Sequence, residues 1–177
     1  MKGIISIIAG GIVIFVAISM YLAYSKFLLR RAYDSLEGGN FEKTKFLARL
    51  LSFTPFKACG YEIQAEIAQL NEGYEDAASL FGKALELDNT LENSWVGLFE
   101  CQVCMNKLEE ASHVISEAAD RVPSNELVKV YKILVAKTAG NSAPSQEELA
   151  LLAKHNIYLD RDASKLEDVL LRICKSP

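Results

Sequence analysis

Histidine and tryptophan are almost missing from this chain, with two of the first and one of the second in 177 residues. The two histidines, His113 and His155, stand alone, which leaves no histidine-centred metal site and no local Ser/His/Asp signature. Four prolines and ten glycines exclude a collagen-like or flexible low-complexity chain. The four cysteines, Cys59, Cys101, Cys104 and Cys174, lack the spacing of a disulfide framework, which favours a reducing compartment. No strand pattern is present, so no glycine-rich phosphate loop follows one. Acidic residues are absent before Asp34.

What is present is the composition of a folded chain, 50% hydrophobic and 24% charged. The formal charge of −4 is unevenly spread. Residues 1–31 hold Lys2, Lys26, Arg30 and Arg31 and no acid, while residues 32–177 hold 15 basic against 23 acidic residues, a net of −8. An acidic body repels phosphate backbones, which argues against a nucleic-acid partner.

From residue 3 to residue 25 no charge interrupts the chain, and Ile, Val and Phe dominate. At about 1.5 Å per residue that run spans roughly 34 Å, enough for a hydrocarbon core of about 30 Å. Tyr21 and Tyr24 sit where aromatic rings prefer the headgroup level, and Lys26, Arg30 and Arg31 follow in water. These features predict a transmembrane anchor over residues 1–25, meeting the lipid bilayer through residues 3–25. A cleaved signal peptide is the competing reading, with an apolar core of about 7–15 residues ending at a small-x-small site. Ala17-Ile18-Ser19 has that form, but the apolar run continues through Leu22, which favours a retained anchor. The basic cluster after the anchor leans towards a cytoplasmic C-terminal domain. No proline or glycine lies between Ile12 and Glu37, so a single helix running from the anchor into the body is favoured over a break near Ser25-Lys26.

The body repeats. Residues 72–89 align with residues 106–123 at a shift of 34: Tyr74 falls on Leu108, Ala77 on Ala111, Phe81 on Ile115, Ala84 on Ala118 and Asn89 on Pro123. Tyr61 falls on Trp95 by the same shift. One period earlier, shortened by one residue, Phe41, Thr44, Ala48 and Leu51 precede Tyr74, Ala77, Phe81 and Ala84. Within each unit the apolar positions recur at three and four residues, the helical period. Helix breaks are expected at Gly38-Gly39-Asn40, Thr54-Pro55, Asn71-Glu72-Gly73, Asp88-Asn89, Asn106 and Pro123-Ser124-Asn125. The result is a series of antiparallel helix pairs.

On these residues the chain resembles the tetratricopeptide repeat family, whose unit is a 34-residue helix–turn–helix. Trp95, Leu98, Leu108, Ala111, Ile115, Ala118 and Pro123 carry the family pattern in one unit, and Tyr61, Tyr74, Ala77, Phe81 and Ala84 in another. Phe99 departs from it where a small residue is usual, whereas Ala32 and Ala65 comply. The tyrosine that commonly follows is replaced by Ser35, Ala68 and Gln102. The resemblance spans residues 26–138 and implies an all-α chain: an N-terminal transmembrane helix, then an α-solenoid of three to four helix pairs. Residues 125–138 read as the first helix of a fourth unit, though Lys129 and Lys132 fall where the shift places packing residues. Residues 139–177 are expected to cap the stack: 139–144 as a loop, then helices opened by Ser145 with Glu148 and by Ser164 with Glu167.

Cys101-x-x-Cys104 is the one motif that suggests redox or metal chemistry. It lies mid-helix, without the preceding strand of a redox site or the second ligand pair of a zinc site, and reads as structural. No catalytic residue, metal, cofactor or small-molecule substrate is expected, and the chain does not read as an enzyme. The resemblance implies instead a protein-binding scaffold whose first helices line a groove. Carried over to this sequence, the groove residues are Glu62, Glu66 and Gln69 in one unit, with Asn93, Val96, Glu100, Val103 and Cys104 in the next. Glutamates occupy positions where some family members place the Lys and Asn that grip a C-terminal carboxylate, so that clamp is not supported. An acidic, partly apolar groove suits a basic or amphipathic protein segment. The layout is similar to that of membrane-anchored bacterial repeat proteins acting as assembly or quality-control adaptors. It implies an inner-membrane location with the repeats facing the cytoplasm. A structural subunit of a larger membrane complex is the alternative, and a precursor-protein receptor a third.

Overall fold

The computed structural model describes residues 2–138 and 145–155, and all regular structure there is α-helical. Among these residues eight helices follow one another: α1 (Lys2–Glu37), α2 (Phe41–Leu51), α3 (Lys57–Leu70), α4 (Tyr74–Leu87), α5 (Glu92–Cys104), α6 (Leu108–Arg121), α7 (Glu126–Thr138) and α8 (Gln146–Lys154). The expectation of an all-helical chain holds, and each of the six expected breaks falls between two helices.

α1 runs unbroken through Ser25-Lys26 for 36 residues, roughly 54 Å at the usual rise. It is long and apolar enough to cross a membrane. Residues 10–24 are exposed, whereas Ser25, Leu28 and Ala32 are buried against the body. One helix therefore has a bare half and a packed half. Leu28 and Ala32 share a core with Leu47, Leu51, Ile63 and Ile67 from α2 and α3.

Each helix packs on its chain neighbours, and α1 also touches α3, α3 touches α5 and α5 touches α7. The odd-numbered helices are thereby adjacent along one side. The period of 33 to 34 residues reappears as a period in burial. Thr44, Ala77 and Ala111, then Ala48, Phe81 and Ile115, then Leu51, Ala84 and Ala118 are all at most 1% exposed. Small residues at these positions let helices approach, and the large ones fill the space between. Gly97 on α5 faces Phe81 so closely that any Cβ would collide with the ring.

The turns repeat as well. α1, α3 and α5 each end with one residue in the left-handed region: Gly39 (φ 68°), Glu72 (φ 60°) and Asn106 (φ 59°). In each case the next amide reaches back five residues, Asn40 N–H to Ser35, Gly73 to Ala68 and Lys107 to Gln102, at 3.0, 2.9 and 2.9 Å. This is the Schellman closure, which satisfies carbonyls left open at a helix end.

α7 resolves the register of the fourth unit. Val128 and Tyr131 are buried and Lys129 and Lys132 exposed, so the packing stripe runs one residue earlier than a strict shift of 34 places it. Ser145 caps α8 by the expected box with Glu148. Leu152 joins the core, and Lys154 Nζ lies 2.8 and 2.6 Å from the Glu126 carboxylate oxygens at the start of α7. The loop at 139–144 and the helix expected from Ser164 lie outside the described residues.

Candidate binding face

Carboxylates at helical spacing on α3 and α5 meet donors from the flanking odd-numbered helices. On α3, Glu62 is 2% exposed. Its Oε1 accepts from the Tyr33 hydroxyl of α1 at 2.8 Å and its Oε2 from the Ser94 hydroxyl of α5 at 2.6 Å. Burial, then the charge of Glu62, holds the Tyr33 hydroxyl well above its ordinary range, so it remains a protonated donor. Two oriented hydroxyls compensate for part of the lost hydration of a buried carboxylate.

On α5, Glu100 plays the matching part. Its Oε2 accepts from Gln69 Nε2 of α3 at 2.8 Å and its Oε1 from the Tyr131 hydroxyl of α7 at 2.7 Å. Tyr131 stacks on Phe99 with ring centroids 4.6 Å apart. Each glutamate therefore ties three consecutive odd-numbered helices together.

Glu66 lies one turn beyond Glu62 on α3. It is half-buried, and among the described residues no lysine, arginine or histidine forms an ion pair with it. Burial, then the nearby Glu62 charge, pushes its carboxyl up to about 7. A cation brought to this position would find a carboxylate whose charge is otherwise uncompensated.

Of the residues anticipated for the groove, Glu62, Glu66, Gln69 and Glu100 come together on the odd-numbered side. Asn93 is exposed beside Ser94, and Val96 and Cys104 are half-buried. Val103 offers no surface: at 1% exposure it belongs to the core, because Trp95, Phe99 and Val103 fall four residues apart on the inner stripe of α5. Glu62 likewise offers almost none. Tyr33 and Ser94 were not anticipated; their partner lies 29 and 32 residues away, beyond any local pattern.

The cysteine pair has the environment of packed thiols. Cys101 is fully buried, and burial, followed by Cys104 and Glu100, pushes its thiol up to about 12, away from the thiolate form that reactive or metal-binding cysteines use. Burial also raises Cys59, with Glu62 adding to it. Two open hollows lie at helix turns away from the carboxylates, one lined by Gly38, Phe41 and Asn71, the other by Glu72, Tyr74 and Met105. Compared with protein-family models and with curated proteins, the chain matches none.

Proposed function

We propose that this chain is a membrane-anchored scaffold of the tetratricopeptide-repeat type, whose odd-numbered helices hold a basic or amphipathic segment of a partner protein. Support for the repeat reading comes from three coincident periods: apolar residues in sequence, burial at nine matched positions, and the left-handed turn residue. In this reading residues 26–138 form a solenoid, residues 139–177 cap it, and the charge asymmetry around α1 puts the repeats on the cytoplasmic side of a bacterial inner membrane. The role is binding, not catalysis.

The single observation that carries the partner's chemistry is Glu66, a half-buried carboxylate with no cation of its own among the described residues. A lysine or arginine placed there gains a charge-assisted hydrogen bond, and the surrounding acidic surface steers it in. Glu62 and Glu100 act as struts, so changing them tests folding before binding. The decisive variant is Glu66→Lys in the full-length protein, purified from native membranes in mild detergent with its co-purifying proteins quantified. A basic partner present at fixed stoichiometry on the wild type and lost from the variant, at unchanged helical circular dichroism, is the expected result. Partners that stay at the same stoichiometry on Glu66→Lys would overturn the groove and make the chain a subunit held by other surfaces.

A further inference from the structure

We propose that the turn joining α2 to α3 is a second membrane contact, seated on the anionic surface of the same bilayer that α1 crosses, with Phe53 in the interfacial layer and Lys26, Arg49 and Lys57 against lipid phosphates. The proposal rests on α1 being a membrane span.

Height is the first observation. The Tyr21 hydroxyl donates to the Phe53 carbonyl oxygen at 2.6 Å. Tyr21 lies five residues inside the charge-free run, so its Cα is about 7.5 Å closer to the bilayer centre than that of Lys26. Helical side chains lean towards the helix N-terminus, here the bilayer side, so the turn reaches at least to the level of the Tyr21 backbone. A span of about 30 Å occupies about 20 residues, which puts Tyr21 at the boundary between acyl chains and headgroups. The turn is fastened to the anchor at that depth.

Its surface chemistry matches the location. Phe53 is 80% exposed at the tip of the turn, and Phe46 and Phe27 are exposed close by in sequence. Phe81 and Phe99, further along, are buried, so the exposed phenylalanines of the described body all belong to its first two helices and this turn. An aromatic held at interfacial depth is favoured where the same ring in water is not.

Charge completes the match. Residues 43–61 contain Lys43, Lys45, Arg49 and Lys57 and no acid, in a body whose net charge is −8. Arg49, Lys57 and Lys26 are exposed. Such a basic rim is attracted to anionic lipid, by about 1 kcal/mol per cation near the surface. Asp88 lies near enough to Cys59, at the start of α3, to help raise its thiol, so acid returns on the α4–α5 side and bounds the patch there. The contact is confined to the first three helices.

Tryptophan fluorescence with chain-brominated lipids reads this depth. Full-length protein carrying Trp95→Phe, with either Phe53→Trp or Phe15→Trp, is reconstituted into vesicles of mixed phosphatidylcholine and phosphatidylglycerol. Both probes should be quenched, the one at position 53 most by bromines near the headgroup and the one at position 15 most by deep bromines. Adding Arg49→Glu with Lys57→Glu should remove most of the quenching at position 53 and leave position 15 unchanged. A quenched probe at 15 beside an unquenched probe at 53 overturns the docking and leaves the anchor standing. No quenching at either removes the span and the docking with it. If Trp95→Phe costs helical content, the same comparison is made with the buried Trp95 retained as a constant background.

Discussion

Glu62 and Glu66 sit one helical turn apart on α3, and their surroundings have opposite effects. Glu62 has two hydroxyl donors; Glu66 has burial and a like charge, which lift its carboxyl from 4.5 to about 7. Between these values the folded chain keeps a proton that the unfolded chain has lost. With more protons bound in the native state, stability falls as pH rises through the window and levels off above it. Glu66→Gln removes the titration. The wild type and the variant should therefore melt at similar temperatures near pH 4.5, with the variant gaining steadily as pH approaches 7 and holding its lead above. Thermal melts followed by circular dichroism across this range check it, and a pH-independent difference would show that Glu66 titrates normally. The glutamates of this face were legible in the sequence because their spacing set them on first helices of successive units. Their partners Tyr33 and Ser94 were not, since a hydroxyl that reaches across to the next odd-numbered helix leaves no mark within one helical turn.

Among the elements, the helix ends separate what the sequence determines locally from what it leaves to packing. Clusters such as Gly38-Gly39-Asn40 and Asn71-Glu72-Gly73 announced every break, since these residues stop helices. They did not say which residue would turn left-handed. By composition Gly73 is the natural choice in the second cluster, yet Glu72 adopts φ 60° and Gly73 stays at φ −81°. The reason is register: α4 must start at Tyr74 for Ala77, Phe81 and Ala84 to reach the core, and the Schellman closure onto Ala68 then requires the residue before Gly73 to invert. A side chain in that conformation is strained, so Glu72→Gly should raise stability by about 0.5–1 kcal/mol despite glycine's greater freedom when unfolded. Asn106→Gly should gain less, because asparagine tolerates the left-handed region. Denaturant titration of both variants checks the order, and a loss of stability in Glu72→Gly would mean that its side chain contributes more than its backbone costs. α7 makes the same point differently: one residue fewer in its approach moved Val128 and Tyr131 inward and left Lys129 and Lys132 outside, an adjustment that a fixed period cannot foresee.

For the whole molecule, the decisive feature is that anchor and body share α1. Its unbroken course was legible from the lack of proline and glycine after Gly11, but the boundary between its two roles was not, because Ser25, Leu28 and Ala32 look no different in sequence from the apolar run before them. Packing draws the line: Ser25 is the first fully buried residue along α1, and Leu28 and Ala32 close the core over Leu47, Leu51, Ile63 and Ile67. Tyr33 extends from the same helix to Glu62, so the orientation of α1 also sets the first strut of the binding face. Two truncations should then behave very differently. Removing residues 1–25 takes away the bare half and leaves the core intact, giving a soluble chain that melts cooperatively. Removing residues 1–37 also strips Leu28, Ala32 and Tyr33, which exposes the four aliphatic residues they cover and leaves Glu62 with one donor. Each large aliphatic uncovered forfeits about 1.5–3 kcal/mol of burial, so losing several exceeds the few kcal/mol by which a domain of this size is stable. That shorter chain should aggregate or lose its cooperative melt. Size-exclusion chromatography and thermal denaturation of the two truncations decide the matter: equal behaviour would make α1 a tether and the body independent of it, whereas the expected contrast makes the membrane anchor part of the fold.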